Sequence, residues 1–225
     1  MLGLRLRLAI PMLLAFVGMS IGCTPASLSM LLMPFVGDNE IPECPLAKKD
    51  KEVSVAVVCR ATGLENRPEL APVVEQELSE LVTKKLKLRY LANKDKVNVL
   101  APSRVRPYLA TKGSDASSMY ELGKTLKADY VITMEVTQFS MADNSFRTLY
   151  RGESEIDIRV LDINKDAGDA TVWTKVFKRE YPRGRHMDAG DISQLQFRTN
   201  FGAAIAEDVS RFFAEYSKDE KNHID

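Results

Sequence analysis

The chain has 225 residues, 45% hydrophobic and 28% charged, enough to build one domain of ordinary size around its own core. Lys+Arg and Asp+Glu both total 31, so no global field favours nucleic acid or an anionic membrane. Only two histidines (His186, His223) and three cysteines (Cys23, Cys44, Cys59) are present, a poor supply of the usual catalytic and metal-binding groups.

Residues 1–22 read as an export signal. Arg5 and Arg7 give a positive start, Leu8 to Met19 is a continuous apolar run, and Ser20-Ile21-Gly22 approaches Cys23 with small residues. The run is well short of the ~20 residues a helix needs to cross a bilayer, and Pro11 and Gly18 interrupt it. Gly22-Cys23 resembles the lipobox of bacterial lipoproteins, although Ser20 stands where that family usually has leucine. The resemblance implies that 1–22 is a lipoprotein signal peptide and that Cys23 becomes the first residue and carries the lipid, palmitate included. Two or three acyl chains, at ~0.8 kcal/mol per buried CH2, hold a soluble domain on a bilayer. Thr24 is not aspartate, which by the same resemblance points to the outer membrane, facing the periplasm.

Residues 23–51 then form a tether with an apolar stretch, Leu28 to Val36, that either lies against the membrane or packs on the domain. In an export compartment disulfides persist. Cys44 and Cys59, 15 positions apart, are either a bridge that fastens tether to domain, worth ~3 kcal/mol, or two free thiols with Cys59 buried.

Val53 to Val58 is a β-branched run and predicts a buried strand, ended by Thr62-Gly63. Asn66-Arg67-Pro68-Glu69 has the composition of a helix start, and Leu70, Val74, Leu78 and Leu81 continue it as an apolar stripe to about Leu88. Val97 to Leu100 is a short strand stopped by Pro102; Ser103 to Leu109 holds a short helix; Gly113-Ser114-Asp115 caps another, with Met119, Leu122 and Leu126 inward. Three strands follow. Tyr130 to Ser140 and Gly152 to Leu161 alternate polar and apolar residues, and Thr171 to Tyr181 completes a meander with turns at Asp143-Asn144-Ser145 and Lys165 to Asp169. Asp191 to Tyr216 predicts a long helix with Phe201, Ile205, Val209 and Phe212 in register. The expected fold is α/β (α+β): a single mixed sheet of about five strands over 52–217, order β-α-β-α-α-β-β-β-α, with helices packed on it. A polar, disordered tail is expected over residues 218–225.

That order, with the residues at its joints, resembles the envelope lipoprotein domains related to CsgG (curli secretion) and LpoB (activation of a peptidoglycan synthase). Lys127-Ala128-Asp129-Tyr130-Val131-Ile132, continuing to Gln138-Phe139, looks like the family's "GADYVVxGxIxxF" strand, with Lys127 and Met134 where glycine is frequent. Val160-Leu161-Asp162, with Gly168 in the turn, looks like the family's hairpin. These motifs are structural, not catalytic. Two departures separate the chain from its specialised relatives. The connection Met141 to Arg151 is too short and too charged to supply two membrane-spanning strands of ~9–11 residues. Residues 24–51 are short and partly apolar for a tether that crosses a peptidoglycan mesh.

No phosphate loop, CxxC, HExxH or GxSxG occurs in the sequence. His186 falls in an expected surface loop, and Asp157 and Asp162, five apart on one strand, fall on opposite faces. Lys84, Lys85, Lys87, Arg89, Lys94, Lys96, Arg104 and Arg106 form one basic group, and Lys175, Lys178, Arg179, Arg183 and Arg185 another. Either they converge, with Lys84, Lys85, Lys87, Arg89, Arg183 and Arg185 contacting anionic lipid or polymer, or they are solvated element ends. The expectation is a non-enzymatic, lipid-anchored envelope protein that binds another envelope protein or itself. No metal, nucleic acid or small-molecule substrate is expected, and no cofactor beyond the lipid on Cys23. A subunit of an outer-membrane secretion or export assembly is the alternative, and an enzyme acting on envelope polymers comes third.

Overall fold

A computed structural model describes residues 39–64, 68–109, 115–141 and 149–218. Residues 1–22, Cys23, the apolar stretch 28–36, Asn66-Arg67, the turn at 143–145 and the tail beyond 218 lie outside the described residues. The elements are β1 (Val53–Ala61), α1 (Ala71–Asn93), β2 (Val97–Val99), α2 (Pro102–Leu109), α3 (Ala116–Leu126), β3 (Tyr130–Ser140), β4 (Gly152–Asp162), β5 (Thr171–Tyr181) and α4 (Gln194–Arg211). They form the expected mixed sheet, in spatial order β2-β1-β3-β4-β5. β1 is parallel to β2 and β3, and β3, β4 and β5 are antiparallel in turn.

Helices α1 and α4 cover one face. Leu78, Val82 and Leu86 of α1 and Phe197, Phe201 and Ile205 of α4 meet Val55, Val57, Ile132, Met134, Ile156 and Ile158 of the sheet. Helices α2 and α3 cover the other face over β1 and β3, where Val105, Met119 and Leu122 pack on Ala56, Val58 and Val131, and reach β4 only at its end, at Leu161. β1 is therefore enclosed on both sides, which is why its sequence is a continuous apolar run. β4 alternates because its second face is open.

Three boundaries differ from the sequence reading. Helix α1 begins at Ala71, with Pro72 in its first turn, while Pro68–Leu70 form a separate turn. It runs on to Asn93, because the buried row Val74, Leu78, Val82, Leu86, Tyr90 continues at spacing four. Helix α4 is shorter than expected. Ser193 caps it through the Gln196 N–H at 3.2 Å. It stops at Arg211, and Phe212 and Phe213 turn to pack on Trp173, with ring centroids 5.9 and 5.5 Å away. The third difference concerns the tether. Leu46 is buried in the core, and the Cys44 N–H donates to the Phe212 carbonyl at 2.8 Å. The last residues assigned to the tether thus fold with the domain.

The alternation of β3 also breaks at one point. Val136 opposes Ile156 but Gln138 opposes Glu155, so Thr137 is an extra residue, a β-bulge. The bulge returns Phe139 to the core, where it stacks on Phe201 at 5.0 Å. Gly63 closes against it: a Cβ there would lie 1.5 Å from the Thr137 carbonyl oxygen, so only glycine fits.

The two acids of the family-like motifs are structural. Asp129 accepts from the Ser54 N–H at 2.9 Å and from Lys51 and Asn164 at 3.3 Å each. Asn164 also donates to Asp162 at 3.1 Å, so one amide ties the start of β3 to the end of β4. Burial works to raise the Asp129 carboxyl, but the bonds from Ser54, Asn164 and Lys51 outweigh it and hold it below the usual carboxylate range.

Candidate functional site

The thiols do not form the bridge that their spacing allowed. Both are free. Cys44 lies beside Tyr90 near the end of α1, whereas Cys59 lies beside Glu75 near its start. Fifteen helical residues separate those positions, about 22 Å at ~1.5 Å per residue, while a disulfide needs Cα atoms within ~7 Å. Burial pushes the Cys44 thiol up to about 11 and the fully enclosed Cys59 thiol higher still.

The basic residues do not converge into one anion-binding face either. Several are used internally. Glu207 of α4 takes Lys85 at 2.6 Å and Arg89, and Arg211 approaches at 3.7 Å. Asp208 takes Arg179 at 2.9 Å, Arg211 at 3.1 Å and Arg183 at 3.8 Å. Arg89 also donates to Ser210 at 2.8 Å, and the Tyr216 ring lies against both Arg89 and Arg211. Burial works to raise the Glu207 carboxyl, but the Lys85 hydrogen bond and the Arg89, Lys85 and Arg211 charges prevail and hold it low. Of the six proposed contacts, Lys85 and Arg89 are thus bound to Glu207 and Arg183 to Asp208; Lys84, Lys87 and Arg185 remain exposed.

A cleft of about 280 Å³ opens at the C-terminal end of β1, lined in part by Cys59, Arg60, Glu75, Gln76 and Val105. This is where parallel sheets place ligands. Two of its charged groups are spent on joining elements, however: Glu75 accepts from the Ala61 N–H at 2.9 Å, and Arg60 donates to the Leu109 carbonyl at 2.9 Å. Asp157 faces Glu135 across the β3–β4 pair while Asp162 sits at the strand end, so no carboxylate pair forms between them. His186 is exposed. Among the described residues no group of three or more metal-ligating side chains occurs, and no helix is long and apolar enough to cross a membrane.

The strongest unsatisfied feature is β5. It is the outer strand of the sheet, eleven residues long, and no described strand pairs with its free edge. Trp173, Phe177 and Tyr181 point to α4, while Val176 is 56% exposed on the uncovered face and Val172, 37% exposed, is the extra residue of a bulge opposite Val160 and Leu161. Solvent-facing edges are usually protected by charged side chains, lysine above all. Here every charged side chain of β5 is matched within the chain: Lys175 with Glu43, Lys178 with Glu155 at 2.8 Å, Arg179 with Asp208, and Glu180 with Arg151 at 2.9 Å. The edge is long and electrically neutral. The one hint in the sequence is Val176, an apolar residue on the face where Thr174 and Lys178 are polar.

No family model and no curated protein matches the chain. Among solved structures it is similar to the PelC dodecamer from Paraburkholderia phytofirmans, at 10% identity over 78% of this chain and 96% of that one, TM-score 0.43. It is similar to lipoprotein GNA1162 from Neisseria meningitidis, at 10% identity over 70% and 98%, TM-score 0.37. A third is the LpoB C-terminal domain from Salmonella enterica, at 11% identity over 67% and 90%, TM-score 0.32. Likenesses of this degree leave partner, oligomer and activity to be argued from this chain's own residues.

Proposed function

We propose that the chain is a lipid-anchored protein of the bacterial envelope whose domain is a non-catalytic binding module, and that β5 is its contact strand. The observation that carries the binding role is the free, charge-neutral edge of β5 with Val172 and Val176 exposed beside it. An extended segment of a partner protein would add to that edge through main-chain hydrogen bonds, with the two valines selecting its side chains. The anchor rests on the Gly22-Cys23 junction after a short apolar run, and the lack of aspartate at position 24 favours, by the lipobox resemblance, the outer membrane.

Photo-crosslinkers placed at Thr174 and at Glu121 of α3 test the contact strand in intact envelopes. Thr174 should give a discrete protein adduct that Val176→Lys abolishes, and Glu121 should not; no adduct at Thr174 would refute the role of β5. The mass of the detergent-solubilised particle then separates self-association from a second protein. Radiolabelled palmitate should enter the wild-type chain and not Cys23→Ser, and label retained by the variant would sink the anchor.

A further inference from the structure

The C-terminal half of α1 carries a feature that the binding strand does not absorb. Leu88 and Leu91 are 52% and 76% exposed, on successive turns of one helix face. Lys84 and Lys87 are exposed on the same face, since positions 84, 87, 88 and 91 fall together at ~3.6 residues per turn. The neighbouring charges are accounted for. Lys85 and Arg89 are bound to Glu207. Toward the N-terminus, Glu80 is paired with Arg106 and Glu77 with Arg198. At the helix end Asp95 faces Glu215, and Lys94 and Lys96 on either side of it are exposed. Lys84 and Lys87 enter no ion pair among the described residues, so they supply the net charge of the patch.

We infer that this face docks on an anionic lipid bilayer. Leu88 and Leu91 enter the boundary between headgroups and acyl chains, while Lys84 and Lys87 lay their methylene stems along it and meet lipid phosphates. Leucines flanked by lysines fit that boundary, whereas lysine is depleted from protein–protein interfaces. The chain also enters the domain at this end. Cys44 bonds to Phe212, while Tyr90 and Asn93 of α1 bond to the Phe213 and Glu215 carbonyls beside it. The leucine–lysine face does not depend on the lipid-anchor reading.

The test uses the unacylated Cys23→Ser chain in co-sedimentation with vesicles of phosphatidylglycerol and phosphatidylcholine, or of phosphatidylcholine alone. Residues 1–38 are common to all variants, so differences report on α1. Lys84→Gln/Lys87→Gln should weaken binding to the anionic vesicles about 25-fold, at about fivefold per lysine, and leave binding to neutral vesicles unchanged. Leu88→Ser/Leu91→Ser should weaken anionic binding by about tenfold or more. Thermal unfolding followed through Trp173 should be unchanged in both. Binding to the anionic vesicles within twofold of the parent for either variant overturns the inference, as does an equal loss of the lysine variant on neutral vesicles. A leucine variant that alters the mass of a protein complex but not vesicle binding also overturns it, and makes the face a protein contact. Palmitate labelling of Cys23 is read separately, so failure of the anchor and failure of this face are distinguishable.

Discussion

Replacing Glu207 by Gln removes the carboxylate on which Lys85, Arg89 and Arg211 converge. Breaking a buried ion pair from one side costs ~3–5 kcal/mol, because the remaining charge is stranded. The loss here should be smaller. Arg89 keeps Ser210 and the Tyr216 ring, Arg211 keeps Asp208, and Lys85, 40% exposed, can turn to water. About 2–3 kcal/mol is the expected cost. At ~2–4 °C per kcal/mol for a chain of this size, Tm should fall by about 4–12 °C. Trp173 is the only tryptophan and lies against Phe212 and Phe213, one turn beyond Glu207, so its emission during urea unfolding reads the event directly. The pH dependence has a definite sign. The folded Glu207 carboxyl lies below its ordinary value of ~4.3. Its contribution is therefore complete above that value and is lost as pH falls through the lower, folded one. Wild type and Glu207→Gln should differ at pH 7 and converge in strong acid. A variant within ~0.5 kcal/mol of wild type at pH 7, or a gap that persists at low pH, would refute the account of this network.

Gly63→Ala would place a methyl group 1.5 Å from the Thr137 carbonyl oxygen. The β1–α1 loop and the bulge must separate, at a cost of about 1–3 kcal/mol or more, visible as a lower urea midpoint with an unchanged m-value. Asp129→Ala removes the acceptor for the Ser54 N–H, Lys51 and Asn164 and should cost about 1–3 kcal/mol. Because the folded carboxyl is held low, this difference too should vanish only as pH falls through that depressed value. Cys59 should react with a thiol reagent only in denaturant, and Cys44 slowly in the native protein at pH 8, since its thiol is pushed up to about 11. A protein that yields no free Cys44 or Cys59 thiol after denaturation without reductant would contradict the separation of these residues.

The sequence makes the sheet legible because its strands obey simple patterns. Val53 to Val58 reads as doubly buried, and Ile156, Ile158 and Val160 read as one side of a half-open strand; both are so placed. Local pattern fails where the deciding contact is remote. The end of α1 depends on Tyr90 reaching Phe213, and the end of α4 on Phe212 and Phe213 turning toward Trp173. The bulge at Thr137 has no composition signal, and Gly63, which it requires, is far away in the chain. The basic residues mislead for the same reason. Sequence counts Lys85 and Arg89 as surface charge, but spacing along α1 cannot reveal that Glu207, 118 positions beyond Arg89, lies opposite them.

The two proposed surfaces are compatible because of where the sheet puts them. Helix α1 lies over β1, next to the short edge strand β2, and β5 is the opposite edge. Four strand spacings of ~4.8 Å separate β2 from β5, about 19 Å. A bilayer against the outer face of α1 would leave the rim of β5 open to a partner in the aqueous phase. Helix α4 bridges the two sides, since Glu207 holds α1 while Asp208 holds Arg179 of β5. Adjacent acids on one helix thus fix the orientation of α1 and β5 relative to each other. If the two surfaces act together, Glu207→Gln should loosen α1 without detaching Asp208 from Arg179. Vesicle binding by the folded variant should then weaken while the Thr174 crosslink persists. Loss of the crosslink with vesicle binding intact would show that the network serves the strand and not the helix.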